Sequence, residues 1–264
     1  VFDPRPLVDI ATAIGREAGA LVQRMRASAV VSFDTKSTST DVVTEADRAS
    51  EQLVRTRLSE LRPGEPVLGE EEGGTVVEGL TWVVDPIDGT VNYLYGIPWY
   101  SVSIAAQLDG ESVAGAVVEP ATGCVWTAAR GHGAFLDGVP LEVSATTDLS
   151  LSLLGYGFAY RAERRQRQAD AWAAMATRVR DLRRAGAASL DLCSVAAGRL
   201  DAYAEHGLGR WDWAAGALIA AEAGAVVRLP GSSPELGEDA TFAAAPGIAD
   251  AMHDALVESG FGKV

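Results

Sequence analysis

The run Trp82-Val83-Val84-Asp85-Pro86-Ile87-Asp88-Gly89-Thr90-Val91-Asn92 constrains this chain more than any other stretch. Residues 80–84 read as the end of a buried strand, an apolar run carrying β-branched Val83 and Val84. Pro86 has no N–H to give to a sheet ladder, so the strand is expected to stop there. Two aspartates follow at i and i+3, and then a Gly-Thr pair. Hard divalent cations take oxygen ligands, and exposed backbone N–H groups attract anions. The stretch therefore reads as a cation site beside a phosphate site. An ordinary turn rich in Asp, Pro and Gly is the plain alternative.

With 264 residues, 48% of them hydrophobic and 22% charged, the chain can bury a core as one large α/β unit or two small lobes. No apolar run approaches the ~20 residues of a membrane span, and the first residues lack a basic segment followed by an apolar one. The expectation is a soluble cytoplasmic protein. The formal charge of -14 opposes nucleic-acid binding, which requires Lys and Arg to neutralise phosphates. An acidic chain can still bind an anion through local cations or bound metal. Cys124 and Cys193 stand apart, so no CxxC motif or disulfide framework is available, and both read as small core residues.

Apolar positions spaced by three and four predict an amphipathic helix over residues 5–27. Residues 35–41 are polar and read as a surface loop, a candidate mobile lid. Thr44 with Asp47 three residues on resembles a capping box opening a helix whose apolar positions are Ala49, Leu53, Val54 and Leu58. Residues 66–69 are a short strand running into Glu70, which is placed where a strand end can hold it, whereas Glu71 and Glu72 trail into a turn. Alternating segments joined by Asp109-Gly110 and Asp137-Gly138 predict antiparallel hairpins through residue 141. From there the rhythm changes to strand and helix in alternation: a charged helix over 161–182, an apolar one over 189–197, a strand at 202–205 and an Ala-rich helix over 213–223. The expected organisation is an N-terminal α+β lobe, 1–142, and a C-terminal α/β lobe, 143–264, in one compact unit with a broad interface.

Asp47, Glu70, Asp85, Asp88 and Asp212 all fall at strand ends or helix starts. If four converge, each like-charged pair at ~4 Å costs on the order of 4 kcal/mol at an effective dielectric of 20, so they would need protons or cations. Oxygen-only ligands favour magnesium over zinc. Taken alone, Asp212 reads as a helix N-cap. The three histidines, His132, His206 and His253, stand apart, and neither HExxH, GxSxG nor a GxxxxGK[ST] loop occurs. His206 reads as a surface or satisfied core histidine.

The run Asp85-Pro86-Ile87-Asp88-Gly89-Thr90, with Gly69-Glu70-Glu71 before it and Trp211-Asp212-Trp213-Ala214-Ala215-Gly216 after it, resembles the inositol monophosphatase family. The resemblance extends through residues 41–47, the turn at 131–135 and the segment 184–205, and so covers nearly the whole chain. It implies a layered αβαβα sandwich of the inositol monophosphatase and fructose-1,6-bisphosphatase type, assembled as a homodimer. It also implies magnesium-dependent, lithium-inhibited hydrolysis of a phosphate monoester such as inositol 1-phosphate, by in-line attack of a metal-activated water. By motif, Glu70, Asp85 and the Ile87 carbonyl would hold one Mg2+, and Asp85, Asp88 and Asp212 a second, with Glu70 helping a weaker third. Gly89 and Thr90 would receive the phosphate, and Thr90 with Asp47 and Glu70 would activate the nucleophile. Glu205, the Ala188 backbone and Asp88 would read substrate hydroxyls. Ala187 departs from the hydroxyl residue that many relatives carry there. Rivals within the same superfamily act on histidinol phosphate, fructose 1,6-bisphosphate or a 3'-phosphoadenosine nucleotide, and a regulatory interaction protein that keeps the fold is a rival of another class.

Overall fold

The computed structural model describes residues 2–29, 33–35 and 42–264. Helix α1 (Arg5–Ala29) precedes β1 (Phe33–Thr35) and β2 (Val42–Thr44), which pair antiparallel, and α2 (Glu45–Leu61). Next come β3 (Val67–Gly69), β4 (Leu80–Asp88) and the short helix α3 (Thr90–Tyr95). The strands β5 (Ser101–Leu108), β6 (Glu111–Val118), β7 (Val125–Ala129), β8 (Ala134–Leu136) and β9 (Val139–Pro140) follow. β3 to β9 form a sheet in sequence order, parallel at β3–β4 and antiparallel elsewhere. Its hairpins turn where expected: Asp109 and Asp137 adopt positive φ, each followed by a glycine that does the same.

The second half contributes β10 (Leu153–Tyr156), α4 (Ala162–Met175), β11 (Asp181–Arg183), α5 (Ala188–Ala196), β12 (Ala202–His206), α6 (Arg210–Glu222), β13 (Val226–Arg228), β14 (Ala240–Ala244) and α7 (Ala249–Glu258). These strands make a second, mixed sheet in the order β11-β10-β12-β14-β13.

Side-chain alternation explains the layering. On β4, Trp82 and Val84 face one side and Val83 the other, and all are buried, so the middle of the strand is apolar on both faces. The first side packs on Ile14, Ala18 and Val22 of α1 and Val54 and Leu58 of α2. The second meets α5 and α6, which carry apolar residues nearly all round because they are sandwiched between sheets; Leu190, Val195 and Ile219 share a core with Val83, Trp126, Tyr203 and Ala243. Beyond the second sheet, Trp172 and Met175 of α4 and Met252 and Leu256 of α7 cover Leu154 and Phe242. The result is the αβαβα sandwich.

Local differences from the sequence reading have physical causes. The helix expected over 161–182 ends at Met175, because Val179 turns into the core and the Arg180 N–H donates to the Ser152 carbonyl at 2.9 Å, which docks β11 beside β10. The buried stripe of α2 is Asp47, Ser50, Glu51, Val54 and Leu58, while Ala49 and Leu53 are only half-buried. Cys193 is buried, but Cys124 sits half-buried at the β6–β7 turn. His206 is a core histidine, with Nε2 2.7 Å from the Leu236 carbonyl. Of the proposed lid, residues 36–41 lie outside the described residues. Among the described residues no helix is long and apolar enough to cross a membrane.

Candidate active site

The strand expected to stop at Pro86 continues to Asp88. Its pairing with β5 slips between Asp85 and Asp88, and Pro86 sits inside that irregularity, where a missing N–H breaks no ladder bond. The Ile87 N–H donates instead to Asp85 Oδ1 at 3.0 Å. Gly89 then turns the chain with φ of 88°, and an added Cβ would lie 3.0 Å from the Trp99 carbonyl oxygen, so both conformation and space require glycine. Immediately after it, Thr90 Oγ1 lies 3.0 Å from the Ile87 carbonyl and 3.3 Å from Asp47 Oδ1.

Asp85, Asp88 and Asp212 each offer a carboxylate oxygen within 4.8 Å of the others. Asp212 belongs to α6, which begins earlier than the Ala-rich pattern suggested; Gly209 is the N-cap, and Asp212 Oδ2 accepts its N–H at 2.6 Å from the third helical position. Burial pushes all three carboxyls above the ordinary range. For Asp85 and Asp212 the charge of Glu70 is the next cause, and for Asp88 the Ser189 hydroxyl and the backbone donors of α5 pull partly back. Such a group of buried, mutually repelling oxygens is stabilised by protons or by a cation. Its donors are all oxygen, which fits a hard divalent ion. Glu70, Ile87, Gly89, Thr90, Ala188 and Glu205 join these three in lining a cavity of about 1130 Å³. Asp47 stands behind Thr90, fully buried.

Helix α2 supplies the support for this floor. Thr44 and Asp47 close a capping box, with the Thr44 N–H donating to Asp47 Oδ2 at 2.8 Å. Ser50 Oγ donates to the Pro86 carbonyl at 3.1 Å. Glu51 accepts the N–H groups of Glu71 and Glu72 at 2.7 and 3.1 Å, next to the turn that presents Glu70.

On the opposite wall, Asp88 caps α5: its Oδ1 accepts the Ala188 N–H at 3.1 Å, and its Oδ2 accepts the Ser189 N–H at 2.7 Å and the Ser189 hydroxyl. Ala187 is buried, its Cβ 3.1 Å from where a Gly89 side chain would begin. Glu205 accepts the Tyr203 hydroxyl at 2.6 Å, and burial pushes its carboxyl up to about 7 against that hydrogen bond and the charge of Arg184. Sequence reasoning missed Ser189, Arg184, Glu51 and Asn92. Asn92 Nδ2 donates to the carbonyls of Trp99 and Ala185 at 2.8 and 2.9 Å and so ties α3 to the loop before α5. For Glu51 a signal existed, since it is one helical turn past Asp47. Ser189 and Asn92 act across distances of chain that no local pattern reveals.

The sequence profile of the inositol monophosphatase family matches residues 3–260. The chain is 53% identical to the inositol-1-monophosphatase of Mycobacterium leprae, over 96% of this chain and 94% of that protein. It is 40% identical to the Nus factor SuhB of Pseudomonas aeruginosa, over 84% and 85%. The solved structure of Mycobacterium tuberculosis SuhB superposes with a TM-score of 0.85 at 47% identity and covers 98% of both chains. Motifs, layered fold and relatives agree: the chain belongs to the inositol monophosphatase family.

Proposed function

We propose that this chain is a magnesium-dependent phosphate monoester hydrolase that converts myo-inositol monophosphates to inositol and phosphate. The observation that carries the reading is the convergence of Asp85, Asp88 and Asp212 beside the Gly89-Thr90 turn at the floor of one cavity. The mycobacterial relative named inositol-1-monophosphatase supports the choice of substrate.

In this reading Glu70, Asp85 and the Ile87 carbonyl would hold one Mg2+, and Asp85, Asp88 and Asp212 a second, with Glu70 helping a weaker third. Ile87 can serve both Thr90 and an ion because a carbonyl oxygen has two lone pairs. Bound magnesium supplies charge neutralisation at the phosphoryl oxygens and a water of lowered pKa. The Gly89 and Thr90 N–H groups receive the phosphate. Thr90 Oγ1 orients the attacking water and accepts its proton as its own shifts toward Asp47, the acceptor 3.3 Å behind it. Glu205 and the Asp88–Ala188 pair read the ring hydroxyls. A shared core between the sheets supports treating 1–142 and 143–264 as lobes of one unit. A homodimer and inhibition by millimolar lithium belong to the same proposal.

Phosphate release from inositol 1-phosphate, histidinol phosphate, fructose 1,6-bisphosphate and a 3'-phosphoadenosine nucleotide tests the assignment; a clear preference for histidinol phosphate would overturn it. The Pseudomonas relative named a Nus factor favours a second reading, a regulatory interaction protein that keeps the fold. A pull-down from extract tests that reading, and the complete acid set makes hydrolysis the stronger one.

A further inference from the structure

Helix α2 touches β4, the turn after β3 and the start of α3, the segments of the N-terminal half that form the site. Asp47 meets Thr90, Ser50 holds the Pro86 carbonyl inside the β4 irregularity, and Glu51 holds the turn after β3. These residues lie on one stripe of the helix, at i, i+3 and i+4, so a single rigid element sets their spacing.

Glu51 makes the most elaborate of these contacts. Its carboxylate is fully buried, with Oε2 2.7 Å from the Glu71 N–H and Oε1 3.1 Å from the Glu72 N–H. Arg55, one turn on, donates Nε to Glu51 Oε1 at 2.9 Å and spreads its other nitrogens to the Val67 and Gly73 carbonyls at 3.2 and 2.6 Å. The turn closes on itself through the Gly69 N–H and the Gly73 carbonyl at 3.0 Å. A Cβ on Gly69 would fall 2.1 Å from Glu51 Oε1, so this glycine is what lets the carboxylate reach the turn amides. Glu70 therefore stands between two anchors: its own N–H donates to the Val84 carbonyl of β4 at 3.2 Å, and the next two amides are held from α2. Buried, charge-assisted hydrogen bonds of this kind are costly to break and fix geometry more firmly than neutral ones.

We infer that Glu51 is a positioning residue for the metal site, acting through the Glu71 and Glu72 amides to aim Glu70 at Asp85 and Asp212. The inference rests on the hydrolase reading for its kinetics but not for its binding test. A Gln at this position keeps the size, yet its amide nitrogen cannot accept and is set against a backbone N–H. In Glu51→Gln the magnesium dissociation constant, read by calorimetry on metal-free protein, rises about 10-fold, the usual scale for support of ligating groups. The half-saturating magnesium for phosphate release rises with it, whereas KM for inositol 1-phosphate at saturating magnesium holds within about twofold. Hydrogen exchange at the Glu71 and Glu72 amides accelerates. Val54→Ala, a buried cavity-forming change on the same helix, is the structural control: it lowers the melting temperature without moving magnesium affinity. Should Glu51→Gln fold poorly, Glu51→Asp carries the same comparison by shortening the reach. Magnesium affinity and amide protection in the Glu51 variants equal to those of Val54→Ala would overturn the inference. A wild-type protein that binds magnesium but releases no phosphate would sink the hydrolase reading instead, and leave Glu51 to be decided by binding and exchange.

Discussion

Two helices of this molecule begin in the same way and end up with different work. At the start of α2 the Thr44 N–H donates to Asp47 Oδ2 at 2.8 Å, and at the start of α6 the Gly209 N–H donates to Asp212 Oδ2 at 2.6 Å. Each aspartate is the third residue of its helix, where a negative charge also suits the helix dipole. They differ in their surroundings. Asp47 has a hydroxyl in front of it, Thr90 Oγ1, whereas Asp212 faces Asp85 and Asp88 within 4.8 Å. A cap is thus no evidence against function, and in the proposed hydrolase what would separate a relay from a ligand is what meets the rest of the carboxylate.

That contrast can be broken in order of expected effect. Asn at either position keeps an oxygen for the cap and removes the charge. Asp212→Asn should lower kcat/KM for inositol 1-phosphate by about 10³-fold or more, the scale on which charge-stabilising groups act, and Asp88→Asn should do the same, with circular dichroism unchanged. Asp47→Asn should cost less, about 10²-fold, because it weakens proton transfer without removing a ligand. Steady-state kinetics across a magnesium series separates ligand from relay, since the Asp212 and Asp88 variants should need more metal and Asp47→Asn should not.

Stability should divide the pair in the opposite sense. The carboxyls of Asp85, Asp88 and Asp212 are raised by burial, so the metal-free folded chain holds more protons than the unfolded one. Their contribution to stability is full below the ordinary carboxylate pKa and is lost as pH rises through the raised values, and Glu205 adds its own loss as pH rises through about 7. The melting temperature without metal should therefore fall between about pH 5 and 8, and magnesium should restore it. Asp212→Asn should flatten that fall by removing one repelling charge, while Asp47→Asn, which removes the smallest of the charges acting on Asp85, should flatten it less. The smallest effect is the cap itself: Thr44→Ala should cost about 1 kcal/mol in denaturant unfolding.

Much of this was legible in the sequence because the site is built from strand ends and helix starts. The Asp85–Thr90 run, Glu70 and Asp212 each announce a boundary, and the order of these motifs carried the family resemblance. The continuation of β4 past Pro86 was not legible, because an irregularity in pairing with β5 depends on a partner strand and leaves no mark on β4 alone. Nor was the end of α4, since the helix pattern runs on until Val179 is claimed by the core. The Asp88–Ser189 contact joins residues 101 positions apart and exists only once α5 lies against the first sheet. Glu51 offered only its place one helical turn past Asp47, because its partners are backbone amides, which have no signature in sequence.

The most direct test of the site is a magnesium titration of the metal-free protein at neutral pH by calorimetry, repeated in buffers of different ionisation enthalpy and set against Asp85→Asn. Wild type should bind saturably and release protons, as the incoming cation competes with the protons that burial makes these carboxyls hold more tightly, and Asp85→Asn should lose most of the affinity. Binding without proton release, or equal binding by Asp85→Asn, would contradict a metal centre built on Asp85, Asp88 and Asp212.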